Sequence, residues 1–337
     1  MTAAAKRKHL FQNSLFEEID EDRLDQIWSE FWANYPEGIR ALKHLARLFK
    51  QPRSHRPQSS LIIAGPATGK SAIARQFEKT VNPNNDPGKE ERVMPVVYVQ
   101  APPDGKVAAL YSDILEAINE PYKPTWQPLR KQHLVLFMLT KLKTRMLIVD
   151  ELHHFLAGNV RDRSVFMNVL KHLSSELQIC IVGVGTKEVL RAMHVDEQFA
   201  SRFEPYQIQR WEPDEEYMRF LIQVCRHAKF KGTAQLKRKA FVRRIHALSK
   251  GLTGETWKLI CKLIEYAEIN GYDQLEIEML DQIDWTMPGE RRWIASRNTR
   301  QEKAYGTDTR RDIGKPAGEA SKNDRSTKRK PQARPEQ

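Results

Sequence analysis

Apolar positions fall into two kinds of run along this chain. Residues 61–64, 93–100 (VMPVVYVQ), 145–150 (RMLIVD) and 178–184 (QICIVGV) are short, nearly continuous apolar stretches rich in β-branched residues. Runs of that kind predict strands buried on both faces. Between them, residues 71–75, 107–119, 129–143 and about 163–176 carry the spacing of helices. Strands alternating with helices predict an α/β fold, a parallel sheet sandwiched by helices.

The ends of the chain read differently. Residues 1 to about 50 predict helices, with Leu24, Ile27, Trp28, Phe31 and Trp32 on one face as far as Tyr35-Pro36, and a second amphipathic helix over 38–50. That aromatic stripe either packs onto the following domain or docks a partner. Residues 51–60, with Pro52 and Pro57, read as a loop. After Pro213 the pattern turns wholly helical, over 215–229, 236–248, 256–270 and 275–282, and predicts a separate helical subdomain. Beyond about residue 293 apolar residues nearly vanish, and 306–337 has a composition that does not fold alone. The expected division is a helical extension (1–52), an α/β part (53–212), a helical subdomain (213–290) and a basic tail (291–337).

Composition changes this picture mainly through charge. The 337 residues are 40% hydrophobic and 29% charged, with a mean hydropathy of −0.62. No apolar run approaches the ~20 residues that span a bilayer, and the N-terminus has no apolar signal core, so a cytoplasmic protein with no membrane partner is expected. Cys180, Cys225 and Cys261 lie far apart, against a disulfide frame or zinc site. Of the net +12, residues 291–337 carry 14 Lys/Arg against 6 Asp/Glu. A second cluster comprises Lys229, Lys231, Lys237, Arg238, Lys239, Arg243 and Arg244. Such excess favours polyanions as partners, or is a solvated surface.

The chemistry begins at LIIAGPATGKSAIAR, residues 61–75. Strand, glycine loop and helix start form a phosphate cradle, in which Gly65, Pro66, Ala67, Thr68 and Gly69 wrap the phosphates. Lys70 would reach the β and γ oxygens and Ser71 would ligate Mg²⁺. Ala64 stands where the pattern has its first glycine. About 80 residues on, an apolar strand ends in Asp150-Glu151, a carboxylate for Mg²⁺ and a general base for water. The next strand ends at Thr186, either a γ-phosphate sensor or a helix N-cap. Arg202, in FASRFEP, is either an arginine that enters a neighbouring subunit's site or a surface arginine paired with Glu204 or Asp196.

Together these motifs resemble an AAA+ ATPase. IVDELHHFLAG (148–158), FMNVLKHLSSEL (166–177), IVGVGTKEVLRAM (181–193) and FASRFEP (199–205) resemble the TniB/TnsC family, ATP-dependent target-selection regulators of Tn-seven-like and mercury-resistance-type transposons, including CRISPR-associated ones. The resemblance implies ATP and Mg²⁺ as cofactors and homo-oligomeric rings or filaments around double-stranded DNA. It also implies partnership with a TniQ-type target-recognition protein and a DDE transposase. It places a channel loop at 102–107, with Lys106 as a phosphate contact or an ordinary solvated lysine. It makes residues 53–212 a nucleotide-binding part and 213–290 its lid, which here departs from the common Gly-x-x-Arg and offers Trp257 with Lys258 beside it for nucleotide sensing. Adjacent His153 and His154 point apart and are not expected to ligate a metal. Rival readings are a helicase loader or replication initiator of the same fold, and a scaffold NTPase with protein partners.

Overall fold

The computed structural model describes residues 20–82, 92–193 and 201–291. Contacts divide the chain into Met1–Pro288 and Gly289–Gln337, and every element named below lies in the first. The expectations for residues 1–19 and for the tail beyond 291 fall outside the described residues.

Five strands, β1 (Ser59–Ile63), β2 (Val96–Gln100), β3 (Met146–Asp150), β4 (Cys180–Gly185) and β5 (Phe203–Gln207), form one sheet in the order β2-β3-β4-β1-β5. Every neighbouring pair is parallel. The first four strands are the four apolar runs. The apolar pattern does not predict β5, because only Phe203 of its five residues is buried. Among the described residues it pairs with β1 alone, and an edge strand tolerates both its polar residues and Pro205.

The helices are α1 (Glu21–Trp28), α2 (Pro36–Phe49), α3 (Lys70–Val81), α4 (Val107–Ala117), α5 (Pro128–Lys141), α6 (Val160–Leu177), α7 (Lys187–Met193), α8 (Glu215–His227), α9 (Lys239–Ser249) and α10 (Thr253–Ile269). Side-chain alternation sends Leu61, Ile63, Val97, Val99, Leu147 and Val149 into a core with α4, α5 and α6. Ile62, Val96, Tyr98, Ile148 and Val182 face the other way, onto α2 and α3. The helices α8, α9 and α10 enclose a third core around Tyr217, Phe220, Phe241, Ile260 and Ile264. Asp214 starts this part by accepting the Tyr217 N–H at 2.9 Å, with Glu215 and Glu216 in the first turn of α8.

The N-terminal helices are shared between these cores. Pro36 opens α2, Glu37 lies in its first turn and Arg47 in its last, and it buries Ala41, Leu45 and Leu48 against the sheet. Ile27 of α1, with Ala33 and Tyr35, joins the helical core instead. The helix predicted to run to Tyr35 ends at Trp28, and Ser29 is already extended at φ −61° and ψ 137°. The aromatic rings explain the difference, since they seek partners on separate elements rather than one helical stripe. Phe31 stacks on His227 at 4.2 Å, and Tyr35 leans on Trp211 at 5.2 Å. The stripe therefore packs within the chain.

No helix among the described residues is long and apolar enough to cross a membrane. One titration follows from packing. Burial of Asp113 on α4, with Glu116 and Asp104 nearby, raises its carboxyl pKa to about 6. A carboxyl raised above its unfolded value contributes stability at acid pH that is lost as pH rises through about 6. Asp113→Asn should therefore raise the thermal midpoint near pH 8 and leave it unchanged near pH 4. A shift of equal size at both would contradict this account.

Candidate nucleotide site

β1 runs out through Ala64 into the loop 65–69, and α3 starts at Lys70. Gly69, at φ 86°, makes the turn into the helix without the strain that a side chain would bring. Ala67 takes φ 57° at a cost of about 1–2 kcal/mol. Thr68 Oγ1 and Lys70 Nζ each donate to the Gly65 carbonyl at 2.9 Å. No side chain caps α3, so its first N–H groups face the loop without intrahelical partners. A Cβ at Gly65 would meet nothing within 4 Å.

The departure at Ala64 has a packing reason. Its backbone is outside the left-handed region, and its N–H bonds the Gly185 carbonyl at 3.2 Å. The methyl group is 2% exposed, in the core with Ile62 and Ile73. That position uses a side chain as core rather than demanding a glycine's freedom.

Lys70 is nearly buried, and desolvation lowers its pKa against the opposing pull of Glu151 and Asp150. A desolvated ammonium resting on a carbonyl fits an anion at that place. Asp150 is 0% exposed at the end of β3, and its two oxygens are fixed separately. Tyr98 donates its hydroxyl to Oδ2 at 2.6 Å, and the Glu151 N–H bonds Oδ1 at 2.7 Å. Burial, then this bond to Asp150, raises the Tyr98 pKa, and Arg75 lies over the ring at 4.5 Å. Glu151 turns out of the strand at φ 50°, and its carboxylate is about one-third exposed where that of Asp150 is sealed. Its Oε2 lies 3.1 Å from His153 Nδ1, without the alignment of a hydrogen bond. The His154 Nδ1 lies 3.0 Å from the Ala101 carbonyl, yet its ring centroid stands 4.8 Å from that of His153, so the two rings meet rather than point apart as expected, because the chain here is a 3-10 turn.

Thr186 follows β4, the strand between β1 and β3, and so lies between the loop and Asp150. Its side chain bonds the carboxyl of Glu188, in the first turn of α7, and holds that group below the usual carboxylate range. The lid approaches the loop through the start of α10. Gly254 donates its N–H to the Ala67 carbonyl at 2.8 Å, and a Cβ at 254 would sit 3.2 Å from that oxygen. Trp211 Nε1 donates to Thr253 Oγ1 at 3.1 Å, and the Tyr35 hydroxyl lies 3.4 Å from where a Cβ on Gly69 would stand. A cavity of about 320 Å³ shares Tyr35 and Trp211 with this contact.

Four further residues that the sequence singles out have partners of their own. Trp257 meets Trp28 edge-to-face at 5.8 Å, and Lys258 is half-exposed, 4.0 Å from Glu255. Lys106 Nζ lies 3.1 Å from Asp104. Arg202 precedes β5, where its carbonyl accepts from Ser59 at the start of β1 and its guanidinium donates to Ser175 on α6 at 3.2 Å. β1 separates it from the phosphate loop, a span of about 15 Å, so it stands at the other end of the sheet from its own Lys70.

The sequence reasoning missed Tyr98 and the Tyr35, Trp211 and Thr253 contact. Tyr98 carries no signal in the sequence, because only the register of β2 beside β3 places it on the face of Asp150. The others depend on tertiary approach alone.

A model of the family described as bacterial TniB protein matches residues 23–213. The chain belongs to the bacterial TniB family. Comparison with curated proteins finds no match. Among solved structures, the Aeropyrum pernix ORC1 protein in complex with DNA is similar at a TM-score of 0.58 and 16% identity, over 77% of this chain and 68% of that one. The Aeropyrum pernix ORC2 protein (ADPNP-ADP complexes) reaches 0.55 and 15%, over 77% and 70%. Drosophila ORC bound to DNA reaches 0.52 and 15%, over 83% and 73%. At such identities the likeness concerns the fold, which is that of an AAA+ P-loop ATPase.

In this TniB-family chain the residues fit a magnesium nucleotide. The uncapped helix start and desolvated Lys70 suit phosphate, and the Ser71 hydroxyl and Asp150 carboxylate are oxygen donors suited to a hard cation. The described residues hold no cluster of three or more His, Cys, Asp or Glu, so the remaining ligands would come from phosphate and water.

Proposed function

We propose that this chain is an ATP-dependent, DNA-binding regulator of transposition, assembling on duplex DNA with ATP and linking a TniQ-type protein to a DDE transposase. Membership of the TniB family supports the biological setting. The observation that carries the mechanism is the separation of Arg202 from its own Lys70, which suits a site completed by a second copy. In this reading residues 53–212 form the nucleotide-binding part, 213–290 the lid and 291–337 a basic tail. Two solved structures of the same fold are described as complexes with DNA, and a third as ADPNP and ADP complexes.

Loop N–H groups and Lys70 hold the phosphates, and the lid closes over the loop through Gly254. Bound Mg²⁺, held by Ser71 and Asp150, would neutralise charge on the β and γ oxygens. Glu151 accepts the proton of the attacking water, and Arg202 of a neighbour stabilises the charge of the transferring phosphoryl group. Thr186 reports the γ-phosphate by exchanging its bond to Glu188 for one to the nucleotide, and Lys258 is a second contact when the lid closes. Lys106 becomes a DNA contact when it leaves Asp104, a switch that costs little for an exposed pair.

Turnover per protomer should rise with protein concentration and further with duplex. Arg202→Ala should lower it by roughly a thousandfold and remove both dependences. Normal turnover in that variant would remove Arg202 from the site. A wild-type ATPase indifferent to duplex would favour a scaffold NTPase instead.

A further inference from the structure

Charge in the lid is not merely abundant but sorted. Residues 226–250 contain nine Lys/Arg and no Asp or Glu. The stretch folds as the end of α8, a 3-10 turn at Ala234–Lys237, and α9. Lys229, Lys231, Lys237, Arg238, Lys239, Arg243 and Lys250 are all exposed. Among the described residues only Arg244 of this stretch has an acidic partner, Asp281 at 2.6 Å. Lys106, by contrast, already has Asp104 at 3.1 Å.

The placement opposes the stability of the helix that bears it. Lys237, Arg238 and Lys239 gather at the start of α9, where the helix dipole is positive. No acidic residue lies in the first turn, and no side chain caps it. Selection for stability alone favours the reverse arrangement. Lys239 and Arg243, four residues apart, lie on one face, opposite the buried Phe241, Val242 and Ile245.

The kind of anion follows from what the patch lacks. None of the large exposed apolar residues falls between 226 and 250. Protein interfaces are anchored by buried aromatic and aliphatic groups, and membrane-surface helices need an apolar face to insert. A nucleic-acid backbone needs only cations and hydrogen-bond donors.

We propose that the lid carries a second duplex-DNA contact, a sequence-independent phosphate-binding surface formed by the exposed cations from Lys229 to Arg243 and centred on Lys239 and Arg243. It rests on the duplex-binding reading above and extends it from the α/β part to the lid. Nucleotide-driven movement of the lid would then change the grip on DNA directly.

The test compares wild type with the double variant Lys239→Gln and Arg243→Gln, titrated with a 30-base-pair duplex at several salt concentrations, with ATP analogue present. Both positions are exposed and outside the nucleotide site, and the thermal midpoint and nucleotide affinity of the variant are measured alongside. The expected result is duplex affinity about tenfold or more weaker near 100 mM salt, a salt slope shallower by about 2, and unchanged nucleotide affinity. Wild type that binds duplex, with a folded variant that matches it in affinity and slope, overturns the lid contact and leaves the parent reading standing. Wild type that ignores duplex overturns both. A variant that keeps duplex affinity and loses binding to poly-glutamate overturns the proposal in favour of an acidic protein partner. Should the double variant fold poorly, each single substitution is read by the same slope, expected to change by about 1.

Discussion

Lys70→Ala abolishes nucleotide-dependent stabilisation of this protein while sparing the nucleotide-free fold. The lysine is desolvated and rests on the Gly65 carbonyl at 2.9 Å. Removing such a cation relieves a burial penalty and takes away one hydrogen bond, two effects of opposite sign. With nucleotide the balance changes, because charge-assisted bonds to phosphate are worth about 1.5–3 kcal/mol, or one to two powers of ten in affinity. At a ligand concentration 100 times the wild-type dissociation constant, wild type gains about 2.7 kcal/mol and a hundredfold weaker variant only about 0.4. The measurement is thermal unfolding with and without ATP analogue. Wild type should shift by several degrees, Lys70→Ala by almost nothing, with nucleotide-free midpoints close together. A variant that still shifts like wild type would remove Lys70 from the phosphate site.

Glu151→Gln separates binding from turnover. The carboxylate beside the sealed Asp150 is the one that water can reach, and its backbone sits in a left-handed conformation that costs a non-glycine residue free energy. Glutamine keeps the size of the side chain and removes its basicity. Hydrolysis should fall by about 10²–10⁴, the usual contribution of a general base, while nucleotide affinity stays within a fewfold. Nucleotide-bound assemblies should outlast those of wild type. Steady-state turnover and equilibrium nucleotide binding, measured on the same preparation, decide it. Loss of binding as severe as in Lys70→Ala would mean that Glu151 holds the site together rather than acting on water.

How much of this was readable from the chain depended on the kind of residue. The runs at 61–64 and 145–150 announced β1 and β3, because a strand buried on both faces has few alternatives to continuous apolar composition. The same reasoning fails for β5, whose exposed edge leaves Glu204, Pro205 and Gln207 free of that pattern. The motifs anticipate that Lys70, at the start of α3, lies near Asp150 and Glu151 at the end of β3, and the fold brings the three together. Tyr98 was not legible, since a tyrosine in a strand is ordinarily read as packing, and only its register beside β3 turns the hydroxyl onto Asp150. Local pattern also overextended α1, because periodicity cannot register that Phe31 and Tyr35 find their partners at His227 and Trp211, far along the chain. The departure at Ala64 has its reason in three dimensions, where the methyl group is part of the core.

The central claim is that nucleotide at a site shared between copies gates assembly on duplex DNA. Sedimentation velocity of the full chain tests it most directly, with and without a non-hydrolysed ATP analogue and with duplexes of increasing length. The account predicts a slow species without nucleotide. With both nucleotide and duplex it predicts a fast species that grows with duplex length and is absent for Lys70→Ala. A chain that stays monomeric under every condition, or that loads onto duplex equally well without nucleotide, would contradict it.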